Sequence, residues 1–204
     1  HSYTYVKKTP ELGLNFNINM KLSHLSWLAS DNNFSLDELW ARFKKIVSEP
    51  RESRWTVLVL ASLANAAFCR LFDGNYTSIA IVFIATFVGF FVRQELLKRH
   101  WHILAVFTIS SFISTMIGST DYLFFHGGTE DMSLGTSMLY LVPGVPIING
   151  VMDMIDHHVL NGIARLTKAF MLVVCIAVGL TFTVILLDVN PLTVTKVSYP
   201  NVLL

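Results

Sequence analysis

From residue 55 onward the chain alternates long apolar stretches with short polar segments. Five stretches, at about 55 to 72, 76 to 93, 101 to 119, 133 to 155 and 162 to 187, each come near the roughly 20 residues that a helix needs to cross a bilayer core. Trp55, Tyr76, Trp101 and Tyr122 stand at their ends, where amphipathic rings settle at a membrane surface. The first 50 residues are patterned differently. Alternation in Ser2 to Lys8, and again in Asn15 to Lys21 where Phe16, Ile18 and Met20 share a face, predicts strands. Ser35 and Glu38 form a capping box that opens FSLDELWARFKKIVSE, with Leu36, Leu39, Trp40, Phe43 and Val47 on one stripe and Pro50 at the end. That stripe reads either as a face packed within a soluble domain or as an interfacial helix lying on lipid. The expected fold is a mainly α-helical polytopic membrane protein. It has five transmembrane helices and a small α+β cytoplasmic N-terminal segment. The boundaries fall at 1–50 for that segment, 51–190 for the transmembrane domain and 191–204 for an extracytoplasmic tail.

The fourth stretch is interrupted. Pro143 and Pro146, with Gly144 between them, remove two backbone donors and bar a regular helix at the centre of TSMLYLVPGVPIINGVMDMID. The break is expected between about Leu141 and Pro146, with the helix resuming toward Asp153. In lipid, a broken helix survives only where protein or a water-filled cavity satisfies the freed carbonyls. A structural kink would leave the same trace. Transporters also place substrate at such breaks, where a half-helix N-terminus meets an anion.

Composition supports the membrane reading: 53% of the 204 residues are hydrophobic and 14% charged. A net charge of +1 gives no basic surface for nucleic acid. Basic residues are distributed unevenly. Arg42, Lys44, Lys45, Arg51, Arg54, Arg93, Lys98, Arg99, Arg165 and Lys168 fall on one side of the five stretches, and only Arg70 and Lys196 on the other. By the positive-inside rule the N-terminus is cytoplasmic and the C-terminus outside. Cys69 and Cys175 lie within apolar stretches, where free thiols behave as small hydrophobes. A start at His1 leaves room for a missing N-terminal portion.

At this point a resemblance enters. LVPGVPIINGVMDMIDHHVLNGIARL, residues 141 to 166, resembles the signature of the bacterial threonine/serine exporter family, with a Pro-Gly break, an Asn, an Asp and a GIARL-like start of the fifth span. The likeness extends over about residues 35 to 188. It implies a secondary exporter of small polar metabolites in the bacterial inner membrane, driven by protons. Such exporters occur as one chain with two membrane halves or as two subunits, and the split form is linked to succinate. This chain is similar to the N-terminal half with part of its cytoplasmic domain. The family's cytoplasmic domain is compared to hydrolases, and a membrane scaffold or membrane-anchored hydrolase is the alternative function. No nucleophile elbow or HExxH accompanies it here.

The residues expected to line a path are Pro143, Gly144, Pro146, Asn149 and Asp153, with Asn65 from the first span. Were a half-helix to start at Pro146, the N–H groups of Ile147, Ile148 and Asn149 would point at a substrate carboxylate. Pro146, Asn149, Gly150 and Asp153 share a helical face. Asp153 is open to two readings, a ligand or proton carrier and a solvated end residue. Asn65, a carboxamide deep in an apolar helix, needs a partner, which is either packing or substrate. Arg93 with Glu95, and Arg165, read as interfacial side chains or ion pairs. His126 reads as a loop residue or a pH sensor. His157 and His158 lack further metal ligands, so neither metal nor cofactor is expected. A second membrane subunit of four or five spans, or a copy of the chain, is expected to shield the break, contacting it near Ser110, Ser114 and Asn65.

Overall fold

The computed structural model describes residues 16–31, 34–49, 52–124 and 130–188. The chain divides into two compact units, His1–Glu52 and Ser53–Leu204. The first holds α1 (Phe16–Asp31) and α2 (Leu36–Val47). Residues 16 to 21, whose alternation predicts a strand, are instead the opening turns of α1. Local alternation yields here because the following residues through Asp31 continue the helix and pack on α2, burying Leu25. The described residues contain no strand, and Ser2 to Lys8 and the tail beyond Asp188 lie outside them. Ser35 caps α2 as its motif requires, accepting from the Glu38 N–H at 3.3 Å. Lys21 and Glu49 form an ion pair within this unit. The α2 stripe stays exposed, with Leu36, Trp40, Phe43 and Val47 all uncovered.

The second unit is helical throughout its described residues. Its elements are α3 (Arg54–Leu71), α4 (Tyr76–Lys98), α5 (Ile103–Gly118), the short α6 (Thr120–Phe124), α7 (Glu130–Ser137), a 3-10 turn at Leu139–Leu141, α8 (Gly144–Ile155) and α9 (Val159–Leu187). By length and apolar content, α4, α5 with α6, and α9 can each cross a membrane, and the α7–α8 pair makes a fourth crossing if taken as one bent span. α3, with Arg54 and Arg70 near its ends and Asn65 inside, is not among them. Helix ends are set by left-handed residues at Asp73, His100, His157 and Asp188 rather than by glycine.

Burial in this unit runs opposite to that of a soluble domain. Ser62, Thr86, Ser110, Ser111, Ser114, Thr115, Asp121 and Thr183 are buried, while Leu60, Leu63, Phe68, Phe170, Phe182 and Ile185 are exposed. Lipid-facing side chains gain nothing by hiding, so small and hydroxylated residues take the helix interfaces. On the α5–α9 seam, Ser111 Oγ donates to the Ile176 carbonyl at 2.8 Å and the Thr115 and Thr183 hydroxyls meet at 2.6 Å. Between them lies Gly179, where a Cβ would stand 2.6 Å from the Thr108 carbonyl and 2.9 Å from the Phe112 nitrogen. A small apolar cluster of Phe107, Leu141, Leu172 and Ile176 closes the seam.

Candidate functional site

The expected break is present. After α7 the chain tightens into the 3-10 turn, leaves it at Val142 and Pro143, and restarts as α8 on an axis bent by 62°. The two sides of the joint are held by different neighbours. α7 packs on α3, α4 and α5, whereas α8 packs on α9, with Gly150 and Gly162 facing each other at the crossing.

α8 begins at Gly144, two residues before the expected start at Pro146. Pro146 therefore sits in the first turn, where no intrahelical donor is required. The earlier start changes which N–H groups are available. Gly144 N–H donates to the Val142 carbonyl at 2.9 Å and Ile147 N–H to the Pro143 carbonyl at 3.2 Å. Ile148 and Asn149 lie a turn inside the helix, where their N–H groups belong to the intrahelical ladder. The N-terminal anion seat expected at Ile147, Ile148 and Asn149 is thus already occupied by backbone carbonyls.

The other expected site residues separate into two groups. Pro143 is buried, and Gly144, Pro146 and Asn149 are half-buried. A Cβ at Gly144 would meet open space. Asp153, farther along α8, faces Arg165 of α9 at 3.2 Å. Asn65 lies apart from this group. Its side-chain amide donates to Thr86 Oγ1 at 2.6 Å and to the Thr136 carbonyl at 2.8 Å, tying α3 to α4 and to the end of α7 just ahead of the break. Ser110, Ser114 and Asn65 are all buried among the helices of this chain. His126 lies outside the described residues.

On the α7 side of the break, the structure gathers residues that the sequence reading did not group. Tyr140, in the 3-10 turn, sets its hydroxyl 2.9 Å from Ser114 Oγ of α5 and its ring edge-on to Phe90 of α4, with centroids 5.7 Å apart. A Cβ at Gly89 would collide with both hydroxyls, so the close approach depends on that glycine. One helical turn beyond Gly89, the Arg93 guanidinium lies over the Phe107 ring at 4.8 Å and near the Phe90 ring at 5.6 Å. Its Nε is buried without a hydrogen-bond partner among the described residues, and so is the Ser110 hydroxyl.

Arg93 does not pair with Glu95. That carboxylate is shared by Arg54 at 3.7 Å and Arg99 at 3.5 Å. The spacing itself carried the signal, because residues two apart on a helix do not face each other. Arg165, by contrast, is ion-paired with Asp153, one of the two readings its sequence position left open. A second group missed from sequence is Asp121, which is buried and accepts from Ser78 Oγ at 2.6 Å.

Comparison with known proteins adds the following. A family model described as "Putative threonine/serine exporter" matches residues 1–187. The chain is 32% identical over 178 residues to the "Probable succinate transporter subunit YjjP" of Escherichia coli (strain K12), covering 86% of this chain and 69% of that protein. It is 30% identical over 177 residues to the protein of the same description in Klebsiella aerogenes, with 86% and 68% covered. No solved structure matches.

Proposed function

The chain belongs to the threonine/serine exporter family, and on that premise we propose that it is one subunit of a proton-driven secondary exporter of small carboxylate metabolites such as threonine, serine or succinate. The observation that carries the reading is the joint at Val142 and Pro143, bent by 62°. A membrane scaffold has no use for an interrupted apolar helix, since each backbone group left unpaired in lipid costs several kcal/mol. A transporter does, because irregular backbone at membrane depth borders a cavity.

In this reading α3 is a fifth span, completing the set of α4, α5, the α7–α8 pair and α9. Its buried stripe of Leu58, Ser62, Asn65 and Cys69 gives it an inward face, and Leu60, Leu63 and Phe68 give it an outward one. A cytoplasmic N-terminus in a bacterial inner membrane is supported by the basic residues near the start of α3, the end of α4 and the start of α9. Single cysteines introduced between Lys98 and His102 are therefore expected to resist a membrane-impermeant thiol reagent in intact cells and to label once the cells are opened. Labelling from outside would reverse the orientation.

Five spans make one repeat of an alternating-access device, so a second membrane unit, another polypeptide or a second copy, is required. Cells loaded with succinate, threonine and serine are expected to export at least one of them when the chain is produced with a second membrane subunit. The chain alone should be inactive. Mild-detergent purification should yield an assembly, and a monodisperse monomer that moves substrate in liposomes would overturn the requirement.

A further inference from the structure

We propose that Arg93, Ser110 and Tyr140 form a seat for the carboxylate group shared by amino acids and dicarboxylates, placed beside the break of the fourth span. The proposal rests on the transport reading above and adds to it a binding site that the Pro-Gly signature does not contain.

Three observations converge on this position. First, an arginine one turn and a half inside the end of α4 is turned inward, over Phe107 and Phe90, with no carboxylate of the described residues paired to it. A cation turned into the protein interior in this way is costly unless it serves a solute or a charge. The aromatic faces offset part of that cost but supply no hydrogen-bond acceptor in the plane of the guanidinium. Second, Nε of Arg93 is buried and unpaired. Guanidinium presents its donors as a fork that matches the two oxygens of a carboxylate. Third, Ser110 is wholly buried with its hydroxyl unpaired. It lies three residues from Phe107, on which Arg93 rests, and four from Ser114, to which Tyr140 is bonded, so all three α5 residues share one stripe. Buried polar groups in folded proteins are nearly always satisfied, and an unpaired arginine Nε together with an unpaired hydroxyl on the helix that the arginine rests against indicates an absent acceptor.

Tyr140 links this seat to the break, since it sits in the last turn before Val142. Ser114 gives its own proton to the Ala85 carbonyl at 3.3 Å, so the Tyr140 hydroxyl donates to Ser114 and turns to a carboxylate by exchanging that bond for one to the incoming oxygen. A carboxylate held here would be felt by the backbone at the joint.

The test is counterflow of labelled succinate, threonine and serine in vesicles carrying the chain with the second membrane subunit that completes it, comparing wild type with Arg93→Gln, Arg93→Lys, Ser110→Ala and Tyr140→Phe. Thermal unfolding of each purified assembly is measured in parallel. Expected are a loss of more than about 100-fold in Arg93→Gln, a partial loss in Arg93→Lys, and a rise in half-saturation of about tenfold in Ser110→Ala. Ser110→Ala removes an unsatisfied hydroxyl, so its unfolding midpoint should equal or exceed that of wild type, which separates a binding role from a packing role. Propionate should inhibit wild-type counterflow and propanamide should not. Wild-type half-saturation in both Ser110→Ala and Tyr140→Phe, or full activity in Arg93→Gln, overturns the site while leaving the transport reading intact. A wild-type assembly that moves none of the three solutes overturns the transport reading, and the site falls with it.

Discussion

Gly179→Leu is expected to unfold the second unit under conditions where the unsubstituted chain stands. At this crossing of α5 and α9 the obstacles to a side chain are the Thr108 carbonyl and the Phe112 nitrogen, at 2.6 and 2.9 Å from the added Cβ. Neither is a side chain that can turn away, so the helices must separate. Overpacking of a tight interface costs about 1–3 kcal/mol, occasionally more. Separation would also weaken the Ser111–Ile176 and Thr115–Thr183 bonds on either side, each worth about 0.6 kcal/mol within a membrane. The combined loss of about 3 kcal/mol is a large share of what holds a domain of this size together. Unfolding in a graded detergent mixture reads it. Ala177→Leu, an exposed position on the same helix, serves as the control and should be silent. An unchanged midpoint for Gly179→Leu would remove the close α5–α9 contact from the account.

The second large effect is expected from restoring the helix through the break. Pro143→Ala combined with Pro146→Ala returns two backbone donors, and alanine exceeds proline in a helix interior by about 3 kcal/mol. The joint would then tend to straighten. Tyr140 on one side is bonded to Ser114, and Gly150 on the other is pressed against Gly162. A straight helix cannot keep both contacts, because the two segments now diverge by 62°. Transport should fall at least about tenfold, corresponding to roughly 1.4 kcal/mol on the limiting step, while insertion and abundance stay near wild type. Wild-type export by the double variant would show that the break is a kink without a transport role.

Much of the fold was legible because lipid imposes a length and a composition. The stretches read at 55 to 72, 76 to 93 and 101 to 119 correspond to α3, α4 and α5, and the fourth and fifth to α7–α8 and α9. Pro143 and Pro146 announced the joint through backbone chemistry alone. Residues 16 to 21 were misread because a short alternating run carries little information beside the helix that continues it. The site was harder. Its components come from α4, α5 and the 3-10 turn, and only their proximity in space gives Arg93, Ser110 and Tyr140 a common meaning. Sequence spacing did mark Asn65 as needing a partner. It could not say that the partners would be Thr86 and a carbonyl of α7 rather than a solute.

The outward-facing leucines and inward-facing serines also determine how this chain tolerates change. In a soluble protein, exchanging Leu for Val in a buried position is felt and exchanging Ser for Ala on the surface is not. On the five-span reading the exposed Leu60, Leu63, Phe170 and Ile185 would meet acyl chains, and one apolar residue would replace another there with little consequence. Ser111, Thr115, Asn65 and Thr183 each hold a neighbouring helix. Sequence drift within the chain should therefore run fastest through its most hydrophobic letters, and the positions that resist it should be the small hydroxylated ones that a hydropathy plot passes over.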